Sequence, residues 1–148
     1  MTNKKTTVIL HAEDEPAHAT IVEIALQRNL GDVLLRQVDD GRAALDYLYR
    51  RGAFKDPAVS PRPDLILLDL RMPDVSGLEV LAIVKQDPVL QAIPVVVLTT
   101  SGNEKDRSEA RACGVDEYLT KPVDFNKFVH MIGELCVAWL GRSAPPAD

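Results

Sequence analysis

Residues 64–69 read DLILLD, four consecutive leucine or isoleucine side chains fenced by aspartates. Side chains of a strand alternate between its two faces, so an unbroken apolar run means that both faces are covered. Strands of that kind belong to parallel sheets clad with helices on either side. Downstream, residues 94–100 (PVVVLTT) repeat the pattern. Upstream, residues 7–12 (TVILHA) form a β-branched, apolar run that stops at Glu13-Asp14.

The intervening segments have helical period. Pro16 suits a first helical turn, and Ile21, Ile24, Ala25 and Leu26 carry an apolar stripe to about Asn29, where Gly31-Asp32 breaks it. Residues 33–38 predict a second strand, Asp39-Asp40-Gly41 a turn and cap, and Ala43, Ala44, Leu45, Tyr47 and Leu48 a second helix. Residues 52–63 (GAFKDPAVSPRP) have no period and three prolines, which predicts a loop of unusual length. Leu78, Val80, Leu81, Ile83 and Val84 give a third helix closed by Asp87-Pro88. A polar helix over 104–113 ends at Gly114, a short strand covers 117–120, and Asp124 caps a last helix from Phe125 to about Leu140. Five strand–helix alternations predict an α/β fold: a doubly wound, five-stranded parallel sheet with helices on both faces.

Composition narrows the function classes. The 148 residues suit one domain, with 46% apolar and 26% charged residues and a net charge of −5. An acidic chain of this size is a poor partner for nucleic acid or an anionic membrane, and no apolar run approaches the length of a bilayer span. Residues 1–7 (MTNKKTT) lead into no secretory apolar region, so a cytoplasmic location is expected. Cys113 and Cys136 have no metal-ligand spacing and are expected to act as small hydrophobes.

In such sheets chemistry gathers at the carboxyl ends of the strands. There the sequence sets Glu13-Asp14 after strand one, Asp69 after strand three, Thr99-Thr100 after strand four and Lys121-Pro122 after strand five. A single acid at a strand end often only caps a helix or turn. Three carboxylates at one sheet edge repel, and a hard divalent cation, Mg²⁺ above all, relieves that repulsion. A lysine and a hydroxyl beside them complete the parts that phosphoryl transfer needs.

These residues and their spacing resemble the receiver domain of two-component response regulators. The likeness rests on Glu13-Asp14, on Asp69 followed by Met72-Pro73 and Gly77, on Thr99 thirty positions after Asp69, and on Lys121-Pro122 twenty-two after Thr99. It implies a flavodoxin-like (βα)5 receiver fold over residues 7–140, with a disordered start at 1–6 and a tail at 141–148. It further implies that Asp69 is the phosphoacceptor. Asp14, Asp69 and the Arg71 backbone carbonyl would ligate Mg²⁺, with Glu13 acting through water. Lys121 would pair with Asp69 and then with the phosphoryl group, and Thr99 and the Thr100 backbone N–H would bind phosphoryl oxygens. Tyr118 falls on the aromatic switch position and would turn inward as Thr99 moves. The Lys121–Pro122 peptide is expected to be cis. Arg71 and Ser101 occupy two positions that vary in this family and tune hydrolysis.

The implied phosphodonor is a sensor histidine kinase. The long loop, the Glu-Asp pair and the PVVVLTTS strand are similar to single-domain regulators that pair with bacterial phytochromes. Eight residues after Leu140 are too few for an output module, so an unidentified downstream protein is the expected target, with no separate enzyme substrate. His11, His18 and His130 are read as packing or surface residues. On the last helix Phe125, Phe128, Val129, Ile132, Leu135, Cys136, Trp139 and Leu140 form a stripe that Met131, Val137 and Ala138 widen, which predicts a homodimer. A Mg²⁺-dependent phosphatase on a similar sheet is a competing reading; the dehalogenase-type pattern wants a second aspartate where Arg71 stands. A flavodoxin-like nucleotide or flavin binder lacks its glycine-rich turn, and a receiver-like docking module without phosphorylation would not need all five site residues.

Overall fold

In the computed structural model, described over residues 6–141, the chain alternates strand and helix five times. The elements are β1 (Thr7–Ala12), α1 (Pro16–Asn29), β2 (Val33–Val38), α2 (Gly41–Tyr49), β3 (Leu65–Leu68), α3 (Gly77–Gln86), β4 (Val95–Thr99), α4 (Glu104–Ala112), β5 (Glu117–Thr120) and α5 (Phe125–Leu140). The expectations for residues 1–5 and 142–148 lie outside the described residues. All strands are parallel, in the order β2-β1-β3-β4-β5. The sequence after β1 therefore goes one way along the sheet and the sequence after β2 the other. That reversal puts the ends of β1 and β3 side by side beneath a crevice.

Alternation along the strands sorts the core into two layers. Leu10, Ala12, Ile66, Leu68, Val95 and Val97 face α2, α3 and α4. Ile9, Leu65, Leu67, Val96 and Leu98 face α1 and α5. Every residue of β1, β3 and β4 is buried, as the apolar runs require. Each large aliphatic so buried contributes about 1.5–3 kcal/mol, which makes these three strands the rigid platform of the molecule.

Polar side chains set where the helices begin. Asp40 accepts from Ala43 N (2.7 Å), Ser76 from Glu79 N (3.2 Å), Asn103 from Lys105 N (2.7 Å) and Asp124 from Lys127 N (2.9 Å). Each satisfies a helix-end N–H and fixes the helix phase over the strand it follows. The long loop is better ordered than its prolines suggest. It contains a 3-10 turn, Gly52–Phe54, and Tyr47 donates to the Pro61 carbonyl (2.7 Å) while Ser60 Oγ donates to that of Phe54 (2.7 Å). No helix among the described residues is long and apolar enough to cross a membrane.

Candidate functional site

Glu13, Asp14 and Asp69 meet at the crevice, one carboxylate oxygen of each lying within 4.8 Å of the others. The backbone delivers them. Glu13 N donates to the Val38 carbonyl (2.9 Å) and Asp69 N to that of Ala12 (3.1 Å), which continues the parallel ladder one step past the strand ends. Glu13 and Asp69 are buried, whereas Asp14 faces solvent. The pair Glu13–Asp69 thus sits inside and Asp14 guards the opening. Such an all-oxygen set, partly open to water, has the donor chemistry of a hard divalent cation site.

Lys121 reaches the same place from the end of β5. Its backbone N–H donates to the Thr99 carbonyl (2.7 Å), and its side chain is buried with Nζ 2.5 Å from Glu13 Oε1 and 3.1 Å from Asp69 Oδ2. The buried ammonium offsets part of the repulsion between the two acids. Even so, burial lifts the Glu13 carboxyl to about 7; Lys121 pulls it down and Asp69 pushes it further up. Thr99, fully buried, closes β4 beside β3, with Oγ1 accepting from Ser101 N (3.3 Å), and Thr100 is exposed. The sequence-derived set is therefore assembled on the ends of four strands.

Gly77 is required where α3 approaches the loop that carries Asp69. Its N–H donates to the Leu70 carbonyl (3.0 Å), and a Cβ there would stand 2.1 Å from the Asp69 carbonyl oxygen and 2.6 Å from Leu70 Cα. Gly77→Ala is expected to cost about 1–3 kcal/mol in urea denaturation, because two backbones have to separate. An unchanged unfolding midpoint contradicts that packing.

One expectation is corrected. The described residues contain no cis peptide bond, so the Lys121–Pro122 peptide is trans. Trans is the lower-energy isomer even before proline, and Lys121 reaches its carboxylates from it without the cis geometry. Tyr118, the residue at the aromatic switch position, is 9% exposed and its hydroxyl donates to the Ser101 carbonyl (2.8 Å). The Arg107 guanidinium lies 4.7 Å from the ring centroid. A hydrogen bond and a cation–π contact hold the ring in this position.

Other parts were not foreseen. The Arg71 guanidinium pairs with Asp106 of α4 (3.0 Å), and Ser101 Oγ donates to the same carboxylate (2.5 Å). Contacts thus run from beside Asp69 to α4 and, through Ser101, to Tyr118. His18, on the first turn of α1, places Nδ1 2.9 Å from Lys121 Nζ. His11 is buried in β1, accepts from Gln37 Nε2 (3.2 Å), and has no hydrogen-bond partner for Nε2. Burial, then the Lys121 charge, hold His11 neutral, its pKa lowered to about 3. Pro16 at the helix start sets the phase of α1, and following that phase would have aimed position 18 at the site.

Residues 9–133 match the response regulator receiver domain family. The chain belongs to that family. The receiver is 41% identical over 140 residues to the response regulator Rcp1 of Synechocystis, covering 95% of this chain and 93% of Rcp1. Among solved structures it resembles the phosphorylated cyanobacterial phytochrome response regulator RcpA, with a TM-score of 0.87, 36% identity and coverage of 96% and 100% of the two chains. The Mn²⁺-bound form of Rcp1 superposes with a TM-score of 0.85 over 95% of this receiver and 99% of Rcp1, at 41% identity. The five-stranded parallel receiver fold and a place in two-component signalling follow.

Proposed function

We propose that this receiver is a single-domain regulator that accepts a phosphoryl group from a histidine kinase's phosphohistidine onto Asp69. The observation that carries the reading is Lys121 Nζ lying between Glu13 and Asp69, with Asp69 Oδ1 held by Arg71 N (3.1 Å). That geometry leaves Asp69 as a buried, oriented carboxylate nucleophile with a cation beside it. An Asp69 oxygen forms the new O–P bond as the donor's N–P bond breaks, and the donor imidazole leaves neutral once it holds one proton. Lys121 then follows the charge onto a phosphoryl oxygen, and Thr99 and the Thr100 N–H complete the oxygen contacts. Water entering past Asp14 returns Asp69 to the free carboxylate, which makes autodephosphorylation the only turnover.

The metal in this reading is Mg²⁺. Asp14, Asp69 and the Arg71 carbonyl would hold it directly and Glu13 through water, a division that suits Glu13 Oε1 being committed to Lys121. When bound, it supplies positive charge that lets an anionic nucleophile meet an anionic phosphoryl group. Rcp1 has been solved with Mn²⁺, which supports a divalent ion at this donor set.

The likeness to Rcp1 and RcpA supports a phytochrome-type kinase as donor, met in the cytoplasm. Labelled phosphoryl groups are expected to pass to this receiver from such a kinase faster than from unrelated histidine kinases, and a chelator is expected to stop the transfer. Equal rates across the panel contradict the pairing, and transfer in excess chelator contradicts the metal.

Readout runs through α4, β5 and α5 to another protein or to a second copy. Phe125 and Val137 of α5 are 43% and 45% exposed, and the proposed dimer covers them. A single monomeric species in sedimentation at tens of micromolar, with and without phosphorylation, contradicts the dimer.

A further inference from the structure

An ammonium group has three protons to place. Lys121 Nζ has three acceptors: Glu13 Oε1 at 2.5 Å, His18 Nδ1 at 2.9 Å and Asp69 Oδ2 at 3.1 Å. Two are carboxylates at strand ends, and the third comes from the first turn of α1. The His18 ring is braced by Phe128 of α5, centroids 6.0 Å apart and planes tilted by 56°.

We infer that His18 is a positioning residue for Lys121: by accepting one ammonium proton at Nδ1, it fixes where the lysine charge stands when Asp69 receives the phosphoryl group. This rests on the reading of Asp69 as acceptor. A lysine stem is flexible, and two carboxylates alone leave the head free to swing about the line joining them. The third acceptor closes a tripod. Because the imidazole is uncharged, it holds Lys121 without competing with the phosphoryl oxygens for its charge.

The role demands a neutral ring with its proton on Nε2, since Lys121 has no lone pair to offer. The surroundings supply it: burial and then Lys121 lower the His18 pKa, while Glu15, Asp69 and Asp14 act in the opposite sense. His11, facing from β1, is itself neutral. Below the pKa of His18, a protonated ring accepts nothing and repels Lys121, so positioning is lost on the acid side.

The test compares His18→Leu, which removes the acceptor, with His18→Asn, whose amide oxygen keeps it and does not titrate. Rates of phosphorylation by acetyl phosphate with Mg²⁺ are followed from about pH 5 to about pH 9. His18→Leu is expected to be about tenfold slower at about pH 8, the loss of one hydrogen bond to a charged group, with the gap closing on the acid side as the parent's ring protonates. His18→Asn is expected within about twofold of the parent at about pH 8, without the parent's additional acid-side fall. Nitrogen-15 spectra of the parent chain, which need no variant to fold, are expected to show the Nε2–H tautomer at His18. Parent-like rates in His18→Leu, equal losses in both variants, or an Nδ1–H tautomer overturn the inference. Label found on Asp69→Asn overturns the acceptor reading instead, leaving the tautomer measurement to judge His18.

Discussion

Asp69→Asn is expected to lose phosphoryl uptake by at least about a hundredfold from either acetyl phosphate or a kinase, because an amide oxygen is no nucleophile under these conditions. The fold is expected to survive. The amide oxygen of the substituted side chain can still accept from Arg71 N, and the change removes one of two acids buried against each other. Thermal unfolding should therefore stay level or rise, and the Glu13 carboxyl should fall toward its ordinary range once Asp69 no longer pushes it up. Loss of uptake together with collapse of the fold would say that Asp69 is structural. Retained uptake would place the acceptor elsewhere.

Lys121→Met has the second large effect, and it acts on both chemistry and stability. Glu13 and Asp69 keep their burial and lose their counter-charge, a change that costs about 3–5 kcal/mol when a buried ion pair is broken. The cost depends on pH in a direction fixed by Glu13. Its folded-state carboxyl sits at about 7, above the unfolded value, so the folded protein holds a proton that the unfolded chain releases. That contribution is fully present below the unfolded pKa and is lost as pH rises through about 7. Removing Lys121 takes away both of the influences that lower the Glu13 pKa and carries this loss further. Urea denaturation should show the variant far weaker than the parent at about pH 8 and closer to it at about pH 5.5. Mg²⁺ should restore part of the deficit at the higher pH, where the carboxylates are ionised and free to bind it. Phosphorylation should fall by about a hundredfold, as when a preorganised charge donor is removed from a transition state. A variant as stable as its parent at both pH values would mean that the short contacts carry no energy.

The sheet was legible because burial on both faces leaves an unmistakable mark: β3 and β4 are apolar along almost their whole length, in runs too short for a buried helix. The site was legible for a related reason. Parallel strands must end at one edge, so Glu13, Asp14, Asp69, Thr99 and Lys121 were neighbours as soon as their strands were recognised. What the sequence concealed depends on side-chain direction and on the turns. His18 looks like any polar residue of an amphipathic helix until the phase of α1 is laid over the end of β1. The Arg71–Asp106–Ser101 chain joins two loops to α4, and no periodicity records their relative height. The Lys121–Pro122 peptide is expected cis from the family resemblance alone, and the structure has it trans. The loop over 52–63 is legible as a loop, but not the Tyr47 and Ser60 hydroxyl contacts that tie it down.

The central claim is that Asp69 holds a phosphoryl group as an acyl phosphate. Intact-mass spectrometry of the chain, incubated with acetyl phosphate and Mg²⁺, tests it most directly. A labile adduct of about 80 Da, one HPO₃, that hydroxylamine removes and that maps to Asp69 is the predicted result. No adduct under those conditions, or one that resists hydroxylamine and maps to another residue, contradicts it.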